Sequence, residues 1–209
     1  MNARVIGSVV VVAGMAGMAM GDVVFQDDFE SGLAQWTGKS GGQHHGVLVI
    51  DPFDQGNTVL SFDGLAAGGD MFSDTVLTLD PNATYRLSFD YLGMAREGAN
   101  AGDTGGYIGF SVGTPSTHSW KWATGSVSGA SDVLIDDGQW HSYAFDFTSA
   151  DIAIGDSMRL MLEDFSGSGG YSGDAYFDNF TFGPASVPTP GTAAVLGVLG
   201  LITAKRRRV

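Results

Sequence analysis

Two tryptophans stand two residues apart in His118-Ser119-Trp120-Lys121-Trp122, and in an extended strand that spacing sends both indoles to the same side. A pair of exposed rings on one face is a platform on which a sugar ring stacks, with carboxylate or amide side chains holding its hydroxyls. Large aromatics at strand positions also build cores, and that reading stands beside the first. The other candidate chemistry is thinner. His44 and His45 are adjacent, so a strand points them to opposite faces, away from a shared metal. A zinc enzyme needs three ligands and an open position, and His118 and His141 have no ligand-like spacing. There is no Gly-x-Ser-x-Gly elbow and no cysteine nucleophile. With 23 acidic residues, carboxylate pairs for glycoside cleavage arise by number alone. A small polysaccharide-degrading enzyme, lyase or glycoside hydrolase, is therefore the alternative to a non-catalytic glycan binder or structural protein.

The elements that must carry these residues read as strands. Tyr85, Leu87, Phe89 and Tyr91 alternate with polar neighbours, which predicts one buried face. In Trp140–Phe147, His141, Tyr143, Phe145 and Phe147 oppose Trp140, Ser142, Ala144 and Asp146. Further candidates are 23–26, 46–50, 58–62, 74–79, 106–112, 119–123, 131–135, 157–163 and 175–182. Asp137-Gly138 signals a turn before the Trp140 strand. Short strands separated by Gly- and Asp-rich turns predict an all-β chain, an antiparallel β-sandwich.

Charge narrows the partners. Arg4 and the group Lys205, Arg206, Arg207 and Arg208 lie at the ends, leaving five basic residues between them against all 23 acids, a balance of −18. Such a domain repels phosphate backbones, so no nucleic-acid partner is expected. Without cysteine the domain relies on its core, with or without a bound metal.

The N-terminus reads as a secretory signal over residues 1–21: Arg4, an apolar run from Val5 to about Met20, and small residues at Ala19 and Gly21 before Asp22. At the other end, 184–209, the 14 uncharged residues Gly191–Ala204 span roughly 21 Å as a helix. That is short of the ~30 Å hydrocarbon layer, which predicts a short membrane helix with a basic stub held on the cytoplasmic side. Val187-Pro188-Thr189-Pro190, the Gly/Leu-rich span and terminal Arg206, Arg207 and Arg208 together resemble the PEP-CTERM sorting signal, with Thr189 where that family has Glu. The resemblance implies export across the inner membrane and transient handling by an exosortase that cuts near the proline motif. It also implies release to the cell surface or extracellular matrix.

The domain between the ends, 22–183, carries a second resemblance. Phe25-Gln26-Asp27-Asp28-Phe29-Glu30-Ser31-Gly32 with Trp36, Ala83–Phe89, Gly138–His141, Phe145–Thr148 and Ala175–Phe180 resemble carbohydrate-binding jelly rolls of the galactose-binding-like group. That family implies a jelly-roll sandwich, extracellular polysaccharide as ligand, and a structural calcium where the first and last strands meet. Calcium takes six to eight oxygens, and Asp28 and Glu30 near the first strand with Asp178 in the last are the acids the resemblance brings together. Trp36 and Trp140 fall inside these motifs, and both are expected in the core.

Overall fold

The strongest alternation in the sequence becomes the centre of a sheet. Tyr85, Leu87, Phe89 and Tyr91 are all buried and face the interior, while Arg86, Ser88 and Asp90 face outward. The computed structural model describes residues 23–39, 46–63, 70–95, 106–125, 134–148, 151, 157–164 and 173–185, which all belong to one compact unit, Gly21–Ala185. Its strands are β1 (Phe25–Asp27), β2 (Trp36–Gly38), β3 (Val47–Ile50), β4 (Thr58–Asp63), β5 (Asp70–Ser73) and β6 (Thr84–Ala95). They continue with β7 (Gly106–Val112), β8 (Ser119–Gly125), β9 (Trp140–Thr148), β10 (Arg159–Asp164) and β11 (Gly173–Pro184).

These form two antiparallel sheets, so the chain is an all-β sandwich. The first sheet runs β3-β4-β11-β6-β9, with β1 also on β11; the second runs β2-β5-β10-β7-β8. Aromatic rings from the inner faces close the gap between the sheets. Phe110 of the second sheet lies 5.0 Å from Phe182 and 5.3 Å from Phe147 of the first. Trp36 of the second sheet lies 5.2 Å from Phe25 and 5.9 Å from Phe180. Edge-to-face and stacked pairs of this kind add about 0.5–1.5 kcal/mol each beyond their area burial.

The strand β11 decides the architecture of the first sheet. On one flank it pairs with β6 along most of its length. On the other it pairs first with β4, up to Phe177 opposite Leu60, and then with β1, from Phe180 opposite Asp27. Between those two partners Asp178 and Asn179 have no strand beside them on that flank, and the ladder to β6 shifts register between Asp178 and Thr181. Asn179 takes φ +54° there, a left-handed conformation that Asn tolerates better than most residues.

Two sequence expectations are corrected. Residues 74–79 alternate, with Leu77 and Leu79 buried and Val76 exposed, but they pair with no strand among the described residues; the pattern records an extended segment laid along the core. Leu134 and Ile135 of the expected strand 131–135 are likewise outside any strand, and 131–133 lie outside the described residues. The true neighbour, β5, gave no alternation because Met71, Phe72 and Ser73 are all buried, on both faces of the sheet. No helix among the described residues is long and apolar enough to cross a membrane. The expected signal segment 1–21, the short C-terminal membrane helix, His44, His45 and the sorting residues Val187, Pro188, Thr189, Pro190, Arg206, Arg207 and Arg208 lie outside the described residues.

Candidate functional site

The break on β11 gathers polar groups. Asp178 is 2% exposed, and its Oδ2 accepts from Asn57 Nδ2 at 3.0 Å and Asn179 Nδ2 at 3.2 Å. The same Asn57 amide donates to Asp51 Oδ2 at 3.3 Å, so one NH₂ lies between two buried carboxylates. Asp51 also accepts from the Phe53 N–H at 2.8 Å and from the Trp140 indole at 3.2 Å. Asn179 reaches Asp90, which takes the Ser142 hydroxyl at 2.5 Å. Glu30 accepts from the Thr58 N–H at 2.7 Å, and Asp28 accepts from the Glu30 N–H at 3.3 Å. The turn that carries them holds Phe29 at φ +57°, fully buried, a conformation that costs a bulky residue about 1–3 kcal/mol.

Electrostatics at this break are one-sided. Burial pushes the Asp178 carboxyl above its ordinary value, and Asp90 and Asp28 push it further, against the Asn57 and Asn179 donors. Burial likewise raises Asp27, with Asp28 adding to it, although Asp27 accepts from the Trp36 indole at 2.7 Å and the Phe29 N–H at 2.9 Å. Asp51 goes the other way: burial opposes, but the Phe53, Trp140 and Asn57 donors hold its carboxyl low. Among the described residues no lysine or arginine forms an ion pair with Asp178, Asp51, Asp28 or Glu30.

This donor set fits a hard cation in its chemistry. A half-turn of the Asn57 amide replaces the NH₂ between Asp51 and Asp178 with a carbonyl oxygen, giving three oxygens around one point. No ready-made group of three His, Asp or Glu spaced for a metal is present among the described residues. Any cation here therefore leans on the Asn57 carbonyl oxygen. Asp51 and Asn57 carried no signal in the sequence; 121 positions separate Asn57 from Asp178. Beside the break opens a polar cleft of about 400 Å³, lined by Gln26, Asp28, Ser31, Gln35, Asn179 and Thr181 among others.

The tryptophans lie elsewhere, and not together. Phe110 pairs with Trp122 and the next residue, Ser111, pairs with Trp120, so Lys121 is the extra residue of a β-bulge. The bulge turns the two indoles to opposite faces, which overturns the shared platform that their spacing implies. Trp122 points inward, 4.6 Å from Phe147 and 5.2 Å from Phe145. Trp120 lies outside, partly buried, over Gly109 and 6.3 Å from Tyr107. Gly109 is required there: a Cβ would come 2.7 Å from the Trp120 ring and 2.0 Å from the Trp122 carbonyl oxygen. Trp36 joins the core as expected, but Trp140 lies on the outer face of the first sheet, its indole N–H on Asp51.

Around Trp120 the outer face of the second sheet is mixed in character. His118 packs its ring on Phe72, centroids 4.9 Å apart, and sets Nε2 3.7 Å from Asp70 Oδ2. The Asp70 side chain is 8% exposed, and its Oδ2 forms an ion pair with the Lys39 ammonium at 3.1 Å. Tyr107, Asp70, Lys39 and His118 were not singled out by sequence as one site; the sheet order brings them to one face with Trp120.

Comparison with known proteins finds similarity in shape. No protein-family model and no curated protein matches the chain. Among solved structures, the CBM22-1 xylan-binding domain of Paenibacillus barcinonensis Xyn10C is similar at TM-score 0.48 and 15% identity, over 80% of this chain and 97% of that one. CBM27-1 of Caldicellulosiruptor saccharolyticus, solved with mannohexaose, is similar at TM-score 0.42 and 13% identity, over 77% and 94%. TmCBM61, solved with beta-1,4-galactotriose, is similar at TM-score 0.41 and 14% identity, over 76% and 94%. At these values the likeness assigns no ligand to this chain.

Proposed function

We propose that this protein is an exported, non-catalytic β-sandwich that binds a neutral polysaccharide on the outer face of its second sheet. The observation that carries the reading is Trp120 lying outward beside Tyr107, on the face that also holds Asp70, Lys39 and His118. An aromatic surface with a few fixed polar groups suits a sugar: the rings take the C–H face, and the carboxylate and ammonium take hydroxyls. Asp70 fixes the exposed Lys39 ammonium on that face through an ion pair of 3.1 Å. The −18 balance disfavours acidic polymers and leaves neutral ones. Binding to a panel of immobilised neutral glycans, followed by titration calorimetry, tests this. Trp120→Ala is expected to weaken binding at least tenfold, which is about 1.4 kcal/mol. Equal binding by Trp120→Ala, or release of sugar fragments by the unaltered protein, overturns it.

The end segments supply the address in this reading. The signal at 1–21 directs export, and the tail from Val187 to Arg208 is handled by an exosortase in the inner membrane, which leaves the domain at the cell surface or in the extracellular matrix. Mass spectrometry of the mature protein is expected to find it without Lys205–Arg208. Retention of those residues means that the tail is a lasting anchor.

A structural calcium belongs to the same reading. Asp178, Asp51 and the Asn57 carbonyl oxygen would hold it, with Asp28 and Glu30 on the neighbouring turn, and the ion would supply positive charge at the β11 break. It would tie β11 to the β3–β4 turn and take no part in chemistry.

A further inference from the structure

We infer that the outer face of the first sheet is a second glycan-binding surface, so that one domain holds polysaccharide on both of its sides. A single row of side chains crosses the five strands β3, β4, β11, β6 and β9 on that face. Val47 stands opposite Ser61, Ser61 opposite Tyr176, Tyr176 opposite Leu92 and Leu92 opposite Trp140. Their chain neighbours Leu60, Phe177 and Tyr91 face the core, which puts this row outside. Leu92 is nevertheless fully buried. The side chains directly opposite it are Trp140 and Tyr176, so both rings lie down over it. The Trp140 indole shows this lean: from β9 it reaches across β6 to Asp51, which shares the Asn57 amide with Asp178 of β11. Both aromatic residues are still partly exposed, and rings laid flat on a sheet turn a face to solvent.

Trp140 and Tyr176 stand two strand spacings apart, about 10 Å, which is longer than one sugar ring and suits a chain. The rows on either side are polar. Ser142 and Asp90 face one another in one of them, and Asp90 also accepts from the Asn179 amide. Asp174 stands on the other side, opposite Met94. Rings bordered by carboxylates take the C–H face of a sugar and accept its hydroxyls. Among the described residues no lysine or arginine stands in these rows, and Arg86, further along β6, is held by Asp146 at 2.7 and 2.8 Å. The surface therefore selects a neutral glycan over an anionic one. The two sheets pack back to back, so their outer faces point in opposite directions and engage separate stretches of polysaccharide. The domain is then a cross-link. That consequence rests on the second-sheet reading above; the Trp140 surface does not.

Electrophoresis of the full chain through native gels containing hydroxyethylcellulose, arabinoxylan or galactomannan tests both faces. Losing either face forfeits the gain from holding polysaccharide twice, so Trp120→Ala is expected to weaken retardation at least tenfold without abolishing it. Adding Trp140→Ala is expected to abolish the remainder, with an unchanged circular dichroism spectrum. In the same Trp120→Ala background, Tyr176→Ala is expected to weaken the remainder at least tenfold, whereas Trp140→Phe, which keeps a ring, preserves most of it. In solution with the polysaccharide that retards it, the unaltered chain is expected to raise viscosity, and each single alanine variant is not. Complete loss of retardation in Trp120→Ala alone overturns the inference and leaves the second-sheet reading standing. Full retardation of Trp120→Ala with none for Trp140→Ala overturns the second-sheet reading and the cross-link, and supports the Trp140 surface. No retardation of the unaltered chain in any of the three gels overturns both.

Discussion

Phe180→Ala is expected to lower unfolding stability by about 3–5 kcal/mol, the range for truncating a buried phenylalanine. The residue is 1% exposed and sits where both sheets meet. Its ring lies 5.7 Å from Phe29, 5.7 Å from Phe89, 5.9 Å from Trp36 and 6.1 Å from Phe177. None of these neighbours collapses easily into the space. Phe29 is held in a left-handed turn, and Trp36 is tied by its indole N–H to Asp27. The cavity therefore persists and its full cost is felt. At about 2–4 °C per kcal/mol for a domain of this size, the midpoint falls by about 6–20 °C. Urea and thermal unfolding followed by circular dichroism measure it. A loss under about 1 kcal/mol removes Phe180 from the core described above.

Calcium and pH are expected to act on one another through Asp178. With a chelator present, Asp178 and Asp27 keep raised carboxyl pKa values in the folded protein, for burial first and neighbouring acids second. Over the interval between the ordinary carboxylate value near 4 and those raised values, the folded state holds protons that the unfolded chain has released. Stability therefore rises as pH falls from neutral through that interval, and the gain is complete below about 4. Asp51 has the opposite sign. Its low carboxyl contributes above the ordinary value and loses that contribution as pH falls further, so a maximum at mildly acidic pH is expected. Calcium at a hundred times its Kd adds about 2.7 kcal/mol at neutral pH, or about 5–10 °C. That increment shrinks on acidification, because protons compete for Asp178. Identical melting curves at neutral pH with chelator and with excess calcium sink the calcium reading; the acid-side rise in chelator stands or falls separately.

Local pattern in the sequence carried the sandwich but not its sites. Tyr85–Tyr91 and Tyr143–Phe147 show their inward faces because each strand has one wet face and one dry one, the condition under which alternation appears. β5 breaks that condition and was invisible. Trp120 and Trp122 misled for a different reason. Their spacing is correct for a regular strand, but Lys121 is inserted opposite a partner strand whose Gly109 leaves room for the Trp122 backbone. A bulge depends on two strands at once, and neither alone announces it. The β11 break is harder still. Asp28, Glu30 and Asp178 were legible as acids near the first and last strands, whereas Asp51 and Asn57 enter only because β4 stops where β1 begins.

That stop has a consequence for timing. β11 is the last strand among the described residues, yet β1, β4 and β6 all pair with it, and β4 and β6 do not pair with each other. Until residues 173–184 emerge, the first sheet exists only as a β3–β4 hairpin and a separate β6–β9 pair, although every strand of the second sheet has already been made. Long-range pairing of this kind is slow to form and is rewarded only at the end. A keystone placed at the end of the domain keeps its first sheet unfinished until nearly all of the domain has been made.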